Sequence, residues 1–280
     1  ACVQAVVRNA AISEAVAVHR LYYAPYPSSQ IACSIVGNVA ENSGGVHCLK
    51  YGLTVHNVLK VRVMLMNGEV IELGGLAPDA VGLDLLPVFI GSEGMLGVVT
   101  TVWVKLVPKP RHAEVILASF PTVQSAADAV ANVIAAGLIP AGLEMMDAAS
   151  TAAVEAYLHA GYDLEAAALL LCESDGEPDV VAQEIAAMSQ ILREAGATRL
   201  QVSQNEVERL KFWAGRKSAF PAAARLAPDY YCMDGTIPRK SLGRILTAIA
   251  AMEQEFGLQC LNVFHAGDGN MHPMILFNGA

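Results

Sequence analysis

Beyond residue 110, short apolar runs alternate with longer stretches in which apolar residues recur every three or four positions. The short runs have the length and composition of buried strands and cover 113–120, 142–146, 167–173 and 198–202. The longer stretches have the spacing of amphipathic helices and cover 123–136, 180–195, a stretch from Glu206 onward, and 241–256. This alternation predicts an α+β domain of the ferredoxin-like kind, in which helices pack against a sheet.

The first third of the chain has a different pattern. Residues 10–19 have helical spacing, but from Ile31 to Thr101 short β-like runs are separated by glycines. One run over 58–66 leads into Asn67-Gly68, a strong hairpin signal, and the chain returns over 69–73. The pattern predicts that this part of the chain is rich in strands.

A proline-flanked segment separates the two parts. The apolar run over 98–107 is ended by Pro108 and Pro110, and proline is poorly tolerated inside a sheet. We take this segment as a domain boundary and predict one domain over 1–110 and a second over 111–280.

Composition and charge narrow the functional class. Hydrophobic residues make up 54% of the chain and charged residues 16%, which is enough apolar material for a large core. No apolar run approaches the ~18–20 residues that cross a bilayer. The net charge of −9 argues against nucleic acid as a partner, since nucleic acid requires a basic face. The six cysteines have no close pair, so we expect them to be reduced, as in a cytoplasmic protein.

Two segments, 38–45 and 91–97, are dense in glycine. Glycine allows positive φ and lets backbone N–H groups approach a ligand closely. With the adjoining Asn and Glu side chains, the two segments could form loops around a pyrophosphate and a ribose, and tight β turns without a ligand are the alternative. Neither segment is a GxGxxG before a helix or a GxxxxGK followed by Ser or Thr, so the Rossmann and P-loop classes are excluded.

Taken in order, the motifs 27–29 (Pro-Ser-Ser), 37–45, 50–52 (Lys-Tyr-Gly) and 91–100 resemble the FAD-binding domain of the vanillyl-alcohol-oxidase-like flavoproteins. The resemblance extends over the whole chain. It implies the second half of a PCMH-type FAD-binding domain, followed by an FAD-linked oxidase C-terminal domain. The FAD-contacting residues that it implies are Pro27, Ser28, Ser29, Gly37, Asn38, Asn42, Gly44, Gly45, Gly52, Glu93, Gly97 and Val98.

The segment 262–277 carries two histidines around a turn signal. Asp268-Gly269 lies between two apolar runs, and a two-residue turn there would put His265 directly opposite His272. Directly opposed residues have Cβ atoms ~4.5–5.5 Å apart, which is close enough for two imidazoles to share one metal ion. From the residues alone, a stacked or hydrogen-bonded histidine pair without metal is the alternative.

The resemblance implies roles for these residues. His-x-Gly-Asp-Gly-Asn-x-His matches the divalent-metal motif of the D-2-hydroxy-acid dehydrogenases, which implies that His265 and His272 bind Zn or Mn beside Asn270. The family's Trp-x-x-Arg pattern falls on Trp213 and Arg216, which implies that Arg216 clamps a substrate carboxylate with its planar guanidinium. A solvated surface charge is the alternative for a single arginine. We assign Arg216, Asn270 and His272 as catalytic, and His265 and His272 as metal-binding.

Other positions depart from the family pattern. Tyr26 stands where an Asp is usual, Val36 replaces a glycine where the backbone normally approaches the flavin, and Ser43 replaces an alanine. The family's first pyrophosphate loop would precede Ala1, and its third metal ligand, a Glu, with the neighbouring catalytic His would follow Ala280. We therefore expect a fragment that lacks both ends and does not turn over alone.

The function implied by the resemblance is FAD-dependent oxidation of a small D-2-hydroxy acid, glycolate or D-lactate, to the 2-oxo acid. The metal would lower the pKa of the hydroxyl, and the hydride would pass to FAD. The family also implies a second flavin-domain subunit and an iron–sulfur subunit, through which the protein would lie at the inner membrane. One alternative is a non-catalytic remnant, favoured by Tyr26 and Val36 but opposed by the intact histidine motif. A metal-dependent hydrolase is the other, and it would leave the glycine-rich segments without a purpose.

Overall fold

The computed structural model describes residues 1–77 and 82–279. The chain divides into two compact units, Ala1–Lys109 (unit 1) and Pro110–Ala280 (unit 2), and each has its own main sheet. Among the described residues, the longest and most apolar helices still fall short of what is needed to cross a membrane.

Unit 1 is built on an antiparallel sheet. Its strands are β1 (Cys2–Gln4), β2 (Leu21–Tyr22), β3 (Val58–Met64), β4 (Val70–Gly74), β5 (Val98–Val104) and β6 (Val107–Pro108). The sheet has the order β1-β5-β3-β4. Along β3, Val61 and Val63 are buried in the core while Arg62 is exposed, as the period of two requires. The predicted hairpin around Asn67-Gly68 is confirmed, because β3 and β4 pair across it and Gly68 has φ +83°.

The prediction of β-like runs from Ile31 to Thr101 is wrong in part, because this stretch contains short helices. The helices of unit 1 are α1 (Asn9–Val16), α2 (Ile35–Glu41), α3 (Cys48–Tyr51), α4 (Thr54–Asn57) and α5 (Leu86–Phe89). Ser34 caps α2, since its Oγ accepts a hydrogen bond from Gly37 N–H at 3.3 Å. Ile35 and Val39 on α2 are fully buried in the unit 1 core. This tertiary burial stabilises a helix that the glycine content disfavours.

Unit 2 contains the longer elements. Its strands are β7 (His112–Phe120), β8 (Gly142–Asp147), β9 (Ala168–Gly176), β10 (Arg199–Val202), β11 (Asp229–Cys232), β12 (Gly235–Thr236), β13 (Gln259–Phe264), β14 (Asn270–Met271) and β15 (Pro273–Phe277). Its helices are α6 (Val123–Ala135), α7 (Ala148–Leu158), α8 (Pro178–Glu194), α9 (Glu206–Lys217), α10 (Ala219–Ala223) and α11 (Leu242–Phe256). The predicted α+β architecture is confirmed.

The main sheet of unit 2 is antiparallel and follows the order β10-β7-β9-β8-β13-β15-β11. Strand β9 is buried from Ala168 to Asp175, so both faces of the sheet are covered there. One group of helices, α6, α8 and α11, packs against β7, β9 and β13. In a second group, α7 packs against β8, β9 and β13, α9 packs against β7, and α10 packs against α7 and α9. Strand β8 lies at the centre of the sheet beside β13, and helix α7 packs against both strands.

The strands around the two histidines pair in a register that differs from the predicted one. His265 lies opposite Asn270, and further along the same pair of strands Asn262 lies opposite Pro273. The prediction that His265 lies directly opposite His272 is therefore wrong by two residues. Because side chains alternate with a period of two, a shift of two residues leaves both histidines on the same face of the sheet.

Hydrogen bonds from the loop to residues outside it explain the longer turn. Gly267 N–H donates to Leu143 O on β8 (2.9 Å), and Gly267 O accepts from Arg239 Nη1 (3.0 Å). Gly267 is therefore not available to pair across the hairpin. The turn is closed instead by Gly269 N–H, which donates to His265 O (3.1 Å).

A half-buried carboxylate, that of Asp147, joins the start of α7 to β13. Asp147 Oδ1 accepts from Ser150 N–H (2.8 Å), which caps α7. Asp147 Oδ2 accepts from the backbone N–H and from the side-chain amide of Asn262 (3.0 and 2.8 Å). Burial raises the pKa of Asp147 above its ordinary value, although these hydrogen bonds oppose the rise. The contacts hold the strand that leads to His265 against β8.

Asp147→Ala should lower the free energy of unfolding by about 2 to 4 kcal/mol, because it removes a helix cap and leaves the buried donors of Asn262 unpaired. Urea unfolding followed by circular dichroism measures the change. Asn205→Ala is the matched control, since Asn205 caps α9 through Glu208 N–H (3.0 Å) at an exposed position. Only the cap is lost there, at about 1 kcal/mol. Equal effects of the two substitutions would contradict the role assigned to Asp147.

Candidate functional site

A fully buried carboxylate, that of Glu144, lies between an arginine and a histidine from distant parts of unit 2. Glu144 Oε2 accepts hydrogen bonds from Nε (2.8 Å) and Nη2 (2.7 Å) of Arg216 on α9. Glu144 Oε1 lies 2.7 Å from Nδ1 of His265, which directly follows β13. The side chains of Glu144 and Arg216 are 0% and 1% exposed. The three residues form one buried polar network.

The charges in this network compensate one another. Burial alone would raise the pKa of Glu144, but the interactions with His265 and Arg216 lower it below its ordinary value. Nη1 of Arg216 is buried and has no hydrogen-bond partner within the described part of the chain. This nitrogen is therefore a candidate donor for a ligand.

His272 lies beside His265. Their ring centroids are 5.2 Å apart, and the ring planes are nearly perpendicular, at 89°. Nδ1 of His272 lies 3.8 Å from Oδ1 of Asp234, a side chain that is 72% exposed. Burial and then the charge of His265 lower the pKa of His272 to about 4, so its ring is neutral at pH 7.

Asn270 ends the turn between the two histidines. Its backbone carbonyl accepts from His265 N–H (3.0 Å), and its backbone N–H donates to Asp268 Oδ1 (3.1 Å). The preceding Gly269 has φ +78°, and a Cβ there would lie 2.2 Å from Ile237 O, so only glycine fits. The side-chain Oδ1 of Asn270 is buried, and no described residue donates a hydrogen bond to it. A buried acceptor without a partner costs about 1–3 kcal/mol, which favours binding of a ligand that can donate to it.

The structure brings the sequence-selected residues of unit 2 together through a residue that sequence reasoning missed. Glu144 bridges Arg216 and His265, and the ring of His272 packs on that of His265. Arg216 is not a solvated surface charge, and one edge of its guanidinium is already taken by Glu144. The only sequence signal for Glu144 is a carboxylate inside an apolar run, and its partners are 72 and 121 residues away.

Within residues 1–77 and 82–279, no group of three or more His, Cys, Asp or Glu side chains is arranged to hold a metal ion. His265 and His272 supply two imidazoles side by side. A histidine whose other nitrogen is bonded to a carboxylate, as His265 is to Glu144, is common in metal sites. The donors therefore fit a metal site to which these two histidines would contribute part of the ligands.

The two glycine-rich segments of unit 1 lie against each other. Gly91 N–H donates to Val39 O (2.8 Å), and Glu93 N–H donates to Ala40 O (2.9 Å). A Cβ on Gly91 would lie 3.3 Å from the Cβ of Asn42. Gly91 and Glu93 both have positive φ. The end of helix α2, which includes residues 38–41 of the first segment, and the second segment thus form one continuous surface.

The residues selected as FAD contacts differ in exposure. Those exposed are Ser28, Ser29, Glu93 and Val98; those half-buried are Gly37, Asn42, Gly44 and Gly52; those buried are Pro27, Asn38, Gly45 and Gly97. The side chain of Asn38 is used inside the unit, where it accepts from Asn9 Nδ2 (3.0 Å) and donates to Ser43 Oγ (3.3 Å). Asn38 therefore holds the segment in place, while Ser28 and Ser29 are exposed and could contact a ligand.

Gly45 permits a close contact between two backbone segments. A Cβ on Gly45 would lie 2.2 Å from Tyr26 O and 2.7 Å from Pro27 N. Val46 N–H donates to Tyr26 O (3.2 Å), and the Tyr26 ring stacks on that of His47 with centroids 5.1 Å apart. These contacts hold the Pro-Ser-Ser motif against the first glycine-rich segment.

Val36, where the family pattern has a glycine, has a structural role. Its side chain packs against the apolar core of unit 1 and is half-buried. The extra side chain is thus accommodated by the core of the unit. With the exposed hydroxyls and the joined glycine-rich segments, the residues of unit 1 fit an FAD site.

Comparison with known families gives a match in each unit. Residues 109–280 match the family described as FAD linked oxidases, C-terminal domain. Residues 1–74 match the family described as FAD binding domain. The first match alone covers more than half of the chain.

Individual proteins are also similar. Glycolate oxidase subunit GlcD of Escherichia coli (strain K12) is 60% identical over 276 residues, which are 99% of this chain and 55% of that protein. The mitochondrial D-lactate dehydrogenase (cytochrome) of Arabidopsis thaliana is 29% identical, over 88% of this chain and 43% of that protein. A solved alkyldihydroxyacetonephosphate synthase has the same fold, with a TM-score of 0.77 at 20% identity over 98% of this chain and 57% of that one. The chain thus spans about half the length of these curated relatives.

Proposed function

Because the chain belongs to the FAD linked oxidases through its C-terminal domain, we propose that it is part of a flavoenzyme that oxidises a small D-2-hydroxy acid to the 2-oxo acid. Glycolate and D-lactate are the proposed substrates, which the names of two relatives support. The observation that carries the proposal is the buried Arg216–Glu144–His265 network, in which Arg216 Nη1 has no partner among the described residues.

Arg216 would bind the substrate carboxylate. Glu144 occupies the Nε and Nη2 edge of the guanidinium, so the donors of Nη1 and the second hydrogen of Nη2 are left for a ligand. Hydrogen bonds between a guanidinium and a carboxylate are strong when both are shielded from water. The 1% exposure of Arg216 supports this role over that of a surface charge.

Asn270 would orient the substrate hydroxyl, because its buried Oδ1 can accept a hydrogen bond from that group. His272 is neutral at pH 7, since burial lowers its pKa to about 4, and it therefore offers a nitrogen lone pair. In the reaction the hydrogen on Cα leaves as hydride, with the electrons of its bond. The hydroxyl proton passes to a base, and the C–O single bond becomes a carbonyl.

Bound FAD would accept the hydride, and a divalent metal, Zn or Mn, would lower the pKa of the hydroxyl and offset the negative charge that the substrate brings beside Glu144. Ser28, Ser29 and the two glycine-rich segments of unit 1 would hold FAD. His265 and His272 would hold the metal.

We further propose that the active enzyme contains more than these 280 residues. The chain spans 55% of the length of the Escherichia coli relative, whose name describes it as a subunit. Two histidines are fewer protein ligands than the three that are usual in catalytic metal sites. A second flavin-domain subunit and an iron–sulfur subunit are the proposed partners, and the chain by itself is not expected to turn over.

The purified protein should bind FAD and show the absorption band of bound flavin at about 450 nm. Gly45→Ala should weaken FAD binding at least about tenfold, because the new Cβ would collide with Tyr26 O and displace the Pro-Ser-Ser motif. Gly75→Ala is the matched control in the same unit, since the nearest atom to its Cβ would be 3.9 Å away. A folded protein without any flavin band would favour a non-catalytic remnant.

In the native enzyme, Arg216→Lys should lower kcat/KM for glycolate or D-lactate by about 10- to 100-fold, mainly through KM. A lysine can pair with Glu144 but leaves no fork of donors for the substrate. Arg209→Lys is the control on the same helix, where Arg209 pairs with Glu173 and Glu206. Steady-state kinetics should separate the two variants. Unchanged kinetics for Arg216→Lys would remove Arg216 from the substrate site.

A further inference from the structure

Glu144 makes no contact with the substrate in the proposed reaction, yet it is buried in the middle of a central strand. Positions 142–146 of β8 are all buried, and its neighbours Leu143 and Met145 are apolar. A carboxylate in such surroundings requires partners for its charge and for its oxygens. Both oxygens of Glu144 have them, one in His265 and the other in Arg216.

The contact with His265 determines which nitrogen of the ring carries the proton. A carboxylate paired with a guanidinium accepts hydrogen bonds and does not donate them. Since Glu144 Oε1 lies 2.7 Å from Nδ1 of His265, Nδ1 must be the N–H donor. In a neutral imidazole the lone pair is then on Nε2. Nε2 is therefore the nitrogen that can bind a metal.

The contact with Arg216 determines which of its donors is free. Nε and Nη2 both donate to Oε2 of Glu144, at 2.8 and 2.7 Å, whereas Nη1 has no partner in the described part of the chain. Two hydrogen bonds to one edge of a planar guanidinium leave it little freedom to rotate. The free donor is thus kept in one orientation.

We propose that Glu144 is a positioning residue for the proposed reaction, which keeps the lone pair of His265 on Nε2 and keeps Nη1 of Arg216 free for the substrate carboxylate. This inference rests on the proposed function and deepens it. One carboxylate determines which nitrogen of His265 can bind the metal and which donor of Arg216 can bind the substrate. If Glu144 served only to neutralise the charge of Arg216, the proton position on His265 would not depend on it.

Glu144→Gln tests the proposal, because it keeps the shape of the side chain and changes its polarity. The amide oxygen can accept from Arg216, and the amide N–H₂ then faces Nδ1 of His265 and favours the tautomer protonated on Nε2. We expect ¹⁵N NMR of the metal-free, histidine-labelled chain to show Nδ1–H at His265 in the wild type and Nε2–H in the variant. Zinc titration should show binding about 10- to 100-fold weaker in the variant.

Glu114→Gln is the matched control. Glu114 on β7 also lies 2.7 Å from a histidine nitrogen, that of His112, but in a partly exposed pair. This substitution should change neither the zinc affinity nor the tautomer of His265. Circular dichroism should be the same for all three proteins.

Wild-type His265 protonated on Nε2 would overturn the proposal, and this result does not depend on whether any variant folds. A folded Glu144→Gln protein with the wild-type tautomer and zinc affinity would overturn it as well. If the wild type binds no zinc, the metal part of the proposed function fails, and the wild-type tautomer alone then decides the role of Glu144.

Discussion

The ion pair between Glu144 and Arg216 is the constraint on which the arrangement of unit 2 depends. Taking either charge out of water costs several kcal/mol, and the cost is offset only when geometry and hydrogen bonds are well matched. Here the hydrogen-bonded groups lie on separate elements, with Glu144 on β8, Arg216 on α9 and His265 after β13. A shift of any one of these elements would leave a buried charge without its partner.

The surrounding contacts hold these elements in register. Asp147, at the end of the same strand as Glu144, binds Asn262 on β13 and caps α7. On α9, Arg209 and Trp213 both donate to Glu173 on β9, which places a second buried carboxylate under the same helix. Each of these contacts links a helix or a neighbouring strand to the centre of the sheet. The site is therefore built on rigid elements, which suits a reaction that depends on orientation.

Much of unit 2 could be predicted from the sequence because its elements carry their own periodic signals. Helices α6, α8 and α11 have clear three- and four-residue spacing, and β7 and β9 each contain a run of apolar residues. The short helix α2 could not be predicted, since seven residues with a glycine and an asparagine have little helical preference and depend on burial of Ile35 and Val39. In this segment the weak helical preference of the residues is overcome by the burial of their apolar side chains.

The candidate site was predictable where a motif is compact and not where it is spread over the chain. The spacing of His265 and His272 placed both on one face, although the turn between them is longer than expected because Gly267 bonds to Leu143. The local sequence marks Glu144 only as a carboxylate inside an apolar run, and its role arises from contacts with residues 72 and 121 positions away. Polar networks in a core are properties of the fold, which sequence patterns do not record.

Anaerobic reduction of the bound flavin is the most direct test of the proposed oxidation of a 2-hydroxy acid. The complete native enzyme, with FAD bound, would be mixed with glycolate, D-lactate or L-lactate in the absence of oxygen and of other electron acceptors, and its flavin band at about 450 nm would be followed in time. We expect glycolate or D-lactate to bleach the band, and L-lactate to bleach it far more slowly. A flavin that remains oxidised with every 2-hydroxy acid, in a folded enzyme that retains FAD, would rule out the proposed oxidation.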